Sequence, residues 1–169
     1  GANFSIVDLK DFRLPNLGET PNDKAEWDAT LSRFDGFIFV TPEYNHSIPG
    51  VLKNALDITR EPLANRAAAI VSYGSAGGVR AAEHLRQILA ELEVADVRTN
   101  LTFSRQLDFD GDNFKPNTSA KLADLNLMLD QLATVEQVRM RVGAYLDGLE
   151  KMGQPRDPTR CAVARSVTI

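Results

Sequence analysis

The chain has 169 residues, of which 43% are hydrophobic and 25% are charged, which is typical of one globular domain with a sizeable core. A net charge of −4 without a basic cluster argues against a nucleic-acid partner, and no apolar stretch reaches the roughly 20 residues that would cross a membrane. The single cysteine, Cys161, excludes an internal disulfide and favours a reducing compartment, so we expect a cytoplasmic protein.

Hydrophobic patterns predict alternating strands and helices along most of the chain. Short apolar runs predict strands, and apolar residues three and four apart predict helices. The predicted strands are Phe4–Leu9, Gly36–Thr41, Ala67–Ser72 and Val94–Phe103, and the predicted helices are Lys24–Arg33, Val51–Arg60, Ala76–Leu92 and Ser119–Lys151. Strands separated by helices indicate an α/β fold with a parallel sheet, in which the run Gly36–Val40 is expected to be buried on both faces.

The remaining segments carry turn and loop signals. Asp11–Pro21 and Ser104–Pro116 are predicted loops, and the aspartates of Asp108–Asp112 predict a turn because they lack the order of a calcium loop. We therefore expect no metal site. Residues 1–152 are predicted to form one domain, and the tail Gly153–Ile169, with two prolines and no periodicity, is predicted to be disordered.

A polar segment follows the second predicted strand and is the strongest candidate for a site. It runs Pro42-Glu43-Tyr44-Asn45-His46-Ser47, and Pro49-Gly50 then opens a helix. In open α/β sheets, ligands bind at the carboxyl ends of strands. A second candidate follows the next strand and runs Ser72-Tyr73-Gly74-Ser75-Ala76-Gly77-Gly78-Val79-Arg80.

Together the two segments resemble the flavin loops of the NADPH-dependent FMN reductase family, which has a flavodoxin-like three-layer fold. The resemblance implies an oxidoreductase that binds FMN, takes electrons from NADPH or NADH, and passes them to quinone, azo, metal-oxyanion or free flavin acceptors. It implies that the chemistry is carried by FMN rather than by a catalytic side chain. Cofactor-binding positions carried over from the family are Pro42, Glu43, Tyr44, Asn45, His46, Ser47, Ser72, Tyr73, Gly74, Ser75, Gly77 and Gly78.

In this family, backbone amides of both loops contact the ring edge, where negative charge develops on reduction. Tyr44, Asn45 and Ser47 take that role by resemblance, and the glycines allow close approach of the backbone and positive φ. His46 and His84 are expected on the surface, and Asn54 and Asp57 in helix packing or an interface. Family precedent and the spread of apolar and charged residues on Val51–Arg60 suggest a homodimer or homotetramer.

The family's first, central strand and the phosphate loop that follows it have no counterpart before Phe4. A sheet of order 2-1-3-4-5 would then lack its middle strand. We therefore expect this chain to bind FMN poorly on its own. Two alternatives stay open: a flavodoxin-type electron carrier, and a domain that no longer holds FMN.

Overall fold

The computed structural model describes residues 3–16, 18–19, 24–59 and 61–151. Two compact units are present, Gly1–Glu136 and Gln137–Ile169. The predicted disordered tail, Gly153–Ile169, lies outside the described residues.

Three parallel strands form the main sheet. They are β1 (Gly36–Pro42), β2 (Ala67–Gly74) and β3 (Ala95–Ser104), in the spatial order β1-β2-β3. The predicted α/β fold with a parallel sheet is confirmed. Each of these strands lies within two residues of its predicted limits. β1 and β2 are continuous apolar runs that end at polar or proline positions, whereas β3 alternates apolar and polar residues.

Four helices accompany the sheet: α1 (Lys24–Leu31), α2 (Gly50–Asp57), α3 (Val79–Glu91) and α4 (Thr118–Lys151). α2 begins directly after Pro49, and α3 begins after two glycines with positive φ, so it starts three residues later than predicted. The predicted end of the second helix, Arg60, lies outside the described residues. Within the described part of the chain, no helix combines the length and apolarity that membrane crossing requires.

Apolar side chains cover both faces of the sheet, which gives three layers. On one face, Ala68 and Ile70 of β2 pack with residues of α1, α2 and α3, including Trp27, Leu56 and Leu85. On the other face, buried residues of the sheet and of the first part of α4 form a second cluster, made of Ala69, Val97, Leu101 and Met128. Alternate residues of β2 therefore enter opposite layers, as the two-residue period of a strand requires.

The prediction of a strand at Phe4–Leu9 is wrong. Residues 3–8 have no regular structure, and a short 3₁₀ helix follows at Leu9–Asp11. Phe4 and Ile6 are 67% and 97% exposed, and only alternate residues such as Val7 and Leu9 pack on the core. A strand needs a neighbour to pair with its backbone, and among the described residues none lies beside this segment.

The same absence of a neighbour explains why β1 is not buried on both faces. β1 pairs with β2 along one side, and no described strand pairs with its other side. Val40 is consequently 65% exposed, and most of β1 is only half-buried. The apolar run Gly36–Val40 predicted the strand correctly but not its edge position.

The predicted loop Ser104–Pro116 contains a small hairpin. Phe109–Asp110 (β4) pairs antiparallel with Asn113–Phe114 (β5), with Gly111 at φ +61° in the turn that the aspartates predicted. Asp108, at the base of this hairpin, is only 2% exposed. Its carboxylate accepts a hydrogen bond of 2.7 Å from the Ser104 N–H and forms an ion pair with Lys121 Nζ at 3.5 Å. The hairpin is thus tied to the carboxyl end of β3.

A buried hydroxyl in the core provides a stability test. Thr59 Oγ1 accepts from Trp27 Nε1 at 2.6 Å and donates to the Ala55 carbonyl at 2.7 Å. We expect Thr59→Val to lower the free energy of unfolding by about 1–3 kcal/mol, because the Trp27 N–H loses its acceptor in the core. Urea denaturation followed by the fluorescence of Trp27, the only tryptophan, measures this.

Thr134→Val is the matched control. Thr134 Oγ1 also donates to the carbonyl four residues earlier, at 2.7 Å, but it is exposed and accepts from no tryptophan. Its replacement should change stability by no more than about 0.5 kcal/mol. Equal effects of the two substitutions would contradict the importance of the Trp27 hydrogen bond.

Candidate functional site

The register of the sheet brings the two predicted loops together. Pro42 of β1 lies opposite Tyr73 of β2, and Gly74 lies opposite Ser104 of β3, so all three strands end at the same edge. The ladder continues one residue into the first loop, where the Glu43 N–H donates to the Tyr73 carbonyl at 2.9 Å. Both candidate segments therefore lie at the carboxyl end of the sheet, where α/β folds bind ligands.

The first loop is a tight turn. The Tyr44 and Ser47 backbones exchange two hydrogen bonds, each of 3.0 Å, around Asn45 and His46 at φ +50° and +66°. Two successive positive φ values are typical of a type I′ turn, for which asparagine is favoured. The amides of Tyr44 and Ser47, expected to face a ring edge, are thus occupied within the turn. Those of Asn45 and His46, at the exposed tip, have no acceptor among the described residues.

The second loop is held from beneath by a side chain of β2. Ser72 Oγ, fully buried, donates to the Gly77 carbonyl at 2.8 Å, and the Gly77 N–H donates to the Gly74 carbonyl at 3.1 Å. Ser75, at the exposed top of the loop, has its carbonyl 3.3 Å from Ser104 Oγ. The Gly78 N–H finds no acceptor in the described part of the chain.

The structure gives a physical reason for glycine at positions 77 and 78. Both have positive φ, +77° and +74°, as expected. A Cβ at Gly78 would lie 2.7 Å from the Tyr73 nitrogen, and one at Gly77 would lie 3.2 Å from Thr102 Cβ. The close approach that excludes a side chain is therefore made to the chain's own sheet. The close approach of these glycines to a bound ring, which the family resemblance implies, stays a prediction.

A carboxylate joins the two loops. Glu43, in the first loop, accepts from the Arg80 N–H at 3.1 Å and the Ala81 N–H at 3.4 Å, and also from Arg80 Nε at 2.6 Å. Arg80 and Ala81 form the first turn of α3, which directly follows the second loop. Glu43 thus caps the helix as an N-cap side chain would, from a distant point in the sequence.

Electrostatics favour the ionised form of this carboxyl. Burial alone would raise the pKa of Glu43, but hydrogen bonds from the Arg80 side chain and from the Arg80 and Ala81 amides outweigh it. They hold the pKa of Glu43 below its ordinary value of 4.5. Nearby, burial raises the pKa of the Tyr73 phenol above its ordinary value of 10.0, and the proximity of Tyr44 adds to this effect.

Two residues of α3 support the first loop. Arg80 ends the second candidate segment but was not among the predicted cofactor-binding positions, and His84 was expected only on the surface. Arg80 pairs with Glu43, and one turn later His84 Nδ1 lies 2.9 Å from Ser47 Oγ. His84 is exposed, as expected, but it has this specific partner. The four-residue spacing of Arg80 and His84 places them on one helix face, which is the only sequence signal that could have suggested a shared role.

Other polar residues near the first loop serve packing. Asn54 Nδ2 donates to the Pro15 carbonyl at 2.9 Å, in agreement with its predicted packing role, and Lys53 pairs with Asp57 at 2.7 Å along α2.

A groove of about 750 Å³ opens between α2 and α3, lined in part by Ser47 and His84. No residue of the second loop lines it, so it is separate from the place where the loops meet. Among the described residues, no group of three or more histidine, cysteine or acidic side chains could hold a metal ion.

Comparisons with known proteins agree with this geometry. Residues 1–108 match the family model described as NADPH-dependent FMN reductase. The chain is 38% identical over 148 residues to an NAD(P)H:quinone oxidoreductase of Solanum tuberosum, covering 79% of this chain and 76% of that protein. It is 35% identical over 116 residues to an NAD(P)H-dependent FMN reductase of Nectria sp., covering 59% of this chain and 58% of the relative.

Among solved structures, the chain resembles the flavoenzyme NAD(P)H:(acceptor) oxidoreductase FerB of Paracoccus denitrificans. The TM-score is 0.61 at 20% identity, and the match covers 78% of this chain and 81% of that one. This likeness shows the shared fold. The chain spans between one half and about three quarters of the length of the curated relatives that it matches over more than 100 residues.

The close approach at Gly78 predicts a severe effect of a single methyl group. Gly78→Ala should lower the free energy of unfolding by about 3 kcal/mol or more, because it combines a strained positive φ with a clash against the Tyr73 backbone. Gly111→Ala is the control, since Gly111 has φ +61° but nothing within 4 Å of the added Cβ. That variant should lose only about 1–2 kcal/mol. Chemical denaturation compares them, and equal losses would show that the clash is relieved.

The lowered pKa of Glu43 predicts a pH-dependent stability difference. Glu43→Gln should lower the free energy of unfolding by about 1–2 kcal/mol at pH 7, a figure kept small because Arg80 is 43% exposed. The difference in free energy of unfolding between the wild type and Glu43→Gln should be complete above pH about 5. It should disappear as the pH falls below 4.5, because protonation of Glu43 removes the charge that interacts with the helix.

Glu83→Gln is the control for this prediction. Glu83 is 71% exposed and lies 3.3 Å from Arg86, so its removal should change stability little at any pH. Urea denaturation series between pH 3 and 8 compare the three proteins. A Glu43→Gln deficit that persists unchanged to pH 3 would contradict the ionic origin of the effect.

Proposed function

The chain belongs to the NADPH-dependent FMN reductase family, whose members are oxidoreductases that use FMN and NAD(P)H, and we propose that it passes electrons through FMN to small-molecule acceptors. The acceptor classes proposed are quinones, azo compounds, metal oxyanions and free flavin. Names of relatives favour quinones and FMN among these, since one is a quinone oxidoreductase and another an FMN reductase.

The observation that carries the proposal is the meeting of two loops with unused backbone donors. Asn45 and His46 in the first loop, and Gly78 in the second, keep N–H groups without an acceptor in the described residues. Both loops are preorganised by hydrogen bonds to the sheet or to α3. Preorganised N–H groups at a strand edge suit the polar edge of a flavin ring, where they stabilise charge that develops on reduction.

The residues fit the ring of FMN, and the cofactor, when bound, supplies the chemistry of hydride and electron transfer. The residues of the chain would orient the flavin ring. The Asn45–His46 tip would bind one polar edge, and the exposed Tyr44, 61% accessible, offers an aromatic surface beside it. Glu43, the acidic residue of the first loop, is paired with the Arg80 side chain and with the helix amides.

The phosphate of FMN needs a different part of the protein. A helix N-terminus is a common phosphate site, because its amides and dipole favour anions. At α3 this position is already filled by the carboxylate of Glu43, which also pairs with Arg80. A dianionic phosphate there would be repelled by Glu43. We therefore propose that the described loops hold the ring, and that the phosphate is bound outside them.

We also propose a cytoplasmic homodimer or homotetramer with no nucleic-acid partner. Val51, at the start of α2, is 69% exposed, and Tyr44, in the first loop, is 61% exposed, so both carry apolar surface that a partner could cover. An interface burying on the order of 1,200 Å² or more would cover it.

The function is tested on purified protein that includes any natural flanking sequence, because the 169-residue chain alone is expected to bind FMN poorly. Flavin absorbance after purification or after titration with FMN should appear, and NADPH or NADH should be oxidised when a benzoquinone is added. Flavin binding without NAD(P)H oxidation would favour an electron carrier. Absence of binding by the protein together with its natural flanking sequence would overturn the proposal.

Asn45 provides the sharpest site test. We expect Asn45→Ala to weaken FMN binding by about 1–3 kcal/mol in that protein, because a polar partner of the ring is lost and alanine disfavours φ +50°. Asn45→Gly keeps the turn but also removes the side chain. If the side chain contacts the ring, both variants bind FMN weakly, and if asparagine serves only the turn, Asn45→Gly binds like the wild type. Titrations followed by flavin fluorescence separate the two cases.

A further inference from the structure

A hydrogen-bonded chain reaches the second loop from β3. Asn100 Nδ2 donates to Ser72 Oγ at 3.2 Å, and Ser72 Oγ donates to the Gly77 carbonyl at 2.8 Å. A hydroxyl has one hydrogen, and here the Gly77 carbonyl receives it. Asn100 must therefore present its amide N–H₂ to Ser72, which determines the orientation of its side chain.

This chain determines the direction of one peptide group. The peptide between Gly77 and Gly78 is trans, so its N–H points opposite to its carbonyl. Because the carbonyl is held toward Ser72, the Gly78 N–H is directed away from Ser72. Two consecutive glycines with positive φ could otherwise rotate this peptide at little cost.

Asn100 makes this contact at a cost to stability. Its Oδ1 is buried and has no donor among the described residues. An unsatisfied buried polar atom destabilises the folded state, and an apolar side chain of similar size would avoid that loss. The fold alone therefore gives a poor reason for asparagine at this position.

We propose that Asn100 is a positioning residue for flavin, which acts through Ser72 to hold the Gly77–Gly78 peptide with its N–H available to the ring. This inference rests on the proposed function. Asn100 acts indirectly: it orients Ser72, and Ser72 orients the peptide. The N–H so placed would bind the reduced ring more strongly than the oxidised ring, since reduction adds negative charge.

The first experiment uses the ligand-free protein, so it does not depend on flavin. Amide hydrogen exchange of Gly77, whose N–H donates to the Gly74 carbonyl, is measured by NMR in the wild type, Asn100→Leu, Ser72→Ala and the double variant. We expect faster exchange in both single variants, and no further increase in the double variant. Asn113→Leu, at an exposed position of the hairpin, is the control and should leave Gly77 unchanged. Thermal unfolding should show Asn100→Leu to be at least as stable as the wild type.

The second experiment measures the affinity for oxidised and reduced FMN of the protein that includes any natural flanking sequence. Asn100→Leu should weaken binding of oxidised FMN about threefold and of reduced FMN about tenfold, as expected when one hydrogen bond is poorly aligned. The midpoint potential of the bound flavin should fall accordingly. Asn113→Leu should match the wild type in both titrations.

The outcomes are distinguishable. If the Gly77 amide of Asn100→Leu exchanges at the wild-type rate, or if the two substitutions increase that rate additively in the double variant, Asn100 does not act through Ser72. Altered exchange with unchanged affinity and potential would overturn the role toward flavin. Failure of the wild-type protein with any natural flanking sequence to bind FMN would overturn the proposed function and the flavin role together, while the exchange data would still decide whether Asn100 orders the loop. A large loss of thermal stability in Asn100→Leu would show a structural residue and count against the proposal.

Discussion

The carboxylate of Glu43 is the interaction on which the geometry of the site depends. It connects a loop that follows β1 to the first turn of a helix that follows β2, through two backbone amides and one guanidinium. The partners are 37 and 38 residues apart, so this contact exists only when the sheet has formed in register. The two loops are therefore placed relative to each other by one buried anion and by the end of the shared ladder.

The groups that hold the two loops in place differ from the groups that could contact a ligand. Side chains that support the loops, such as Glu43 and Ser72, point inward and are buried or paired. The backbone amides without a hydrogen-bond acceptor among the described residues are those of Asn45, His46 and Gly78. Backbone donors suit a site whose reaction is carried by a cofactor, because they stabilise charge without adding a group that titrates or reacts.

Local patterns in the sequence predicted much of the fold and little of the contact network. The strands Gly36–Pro42 and Ala67–Gly74 were predictable because each is a continuous apolar run followed by a polar loop. The run Phe4–Leu9 has a similar composition but forms no strand, since pairing depends on a neighbour that a local pattern does not reveal. The roles of His84 and Asn100 were likewise hidden, because each contacts a residue at least 28 positions away.

The turn at Asn45 and His46 also bears on how such a site can diversify. Both side chains are exposed, and the backbone bonds that close the turn belong to Tyr44 and Ser47. The tip can therefore change its chemistry without disturbing the scaffold, provided that each new residue tolerates positive φ. Glycine, asparagine and aspartate satisfy that condition most readily, so few residue types can replace Asn45 and His46 while the turn is kept.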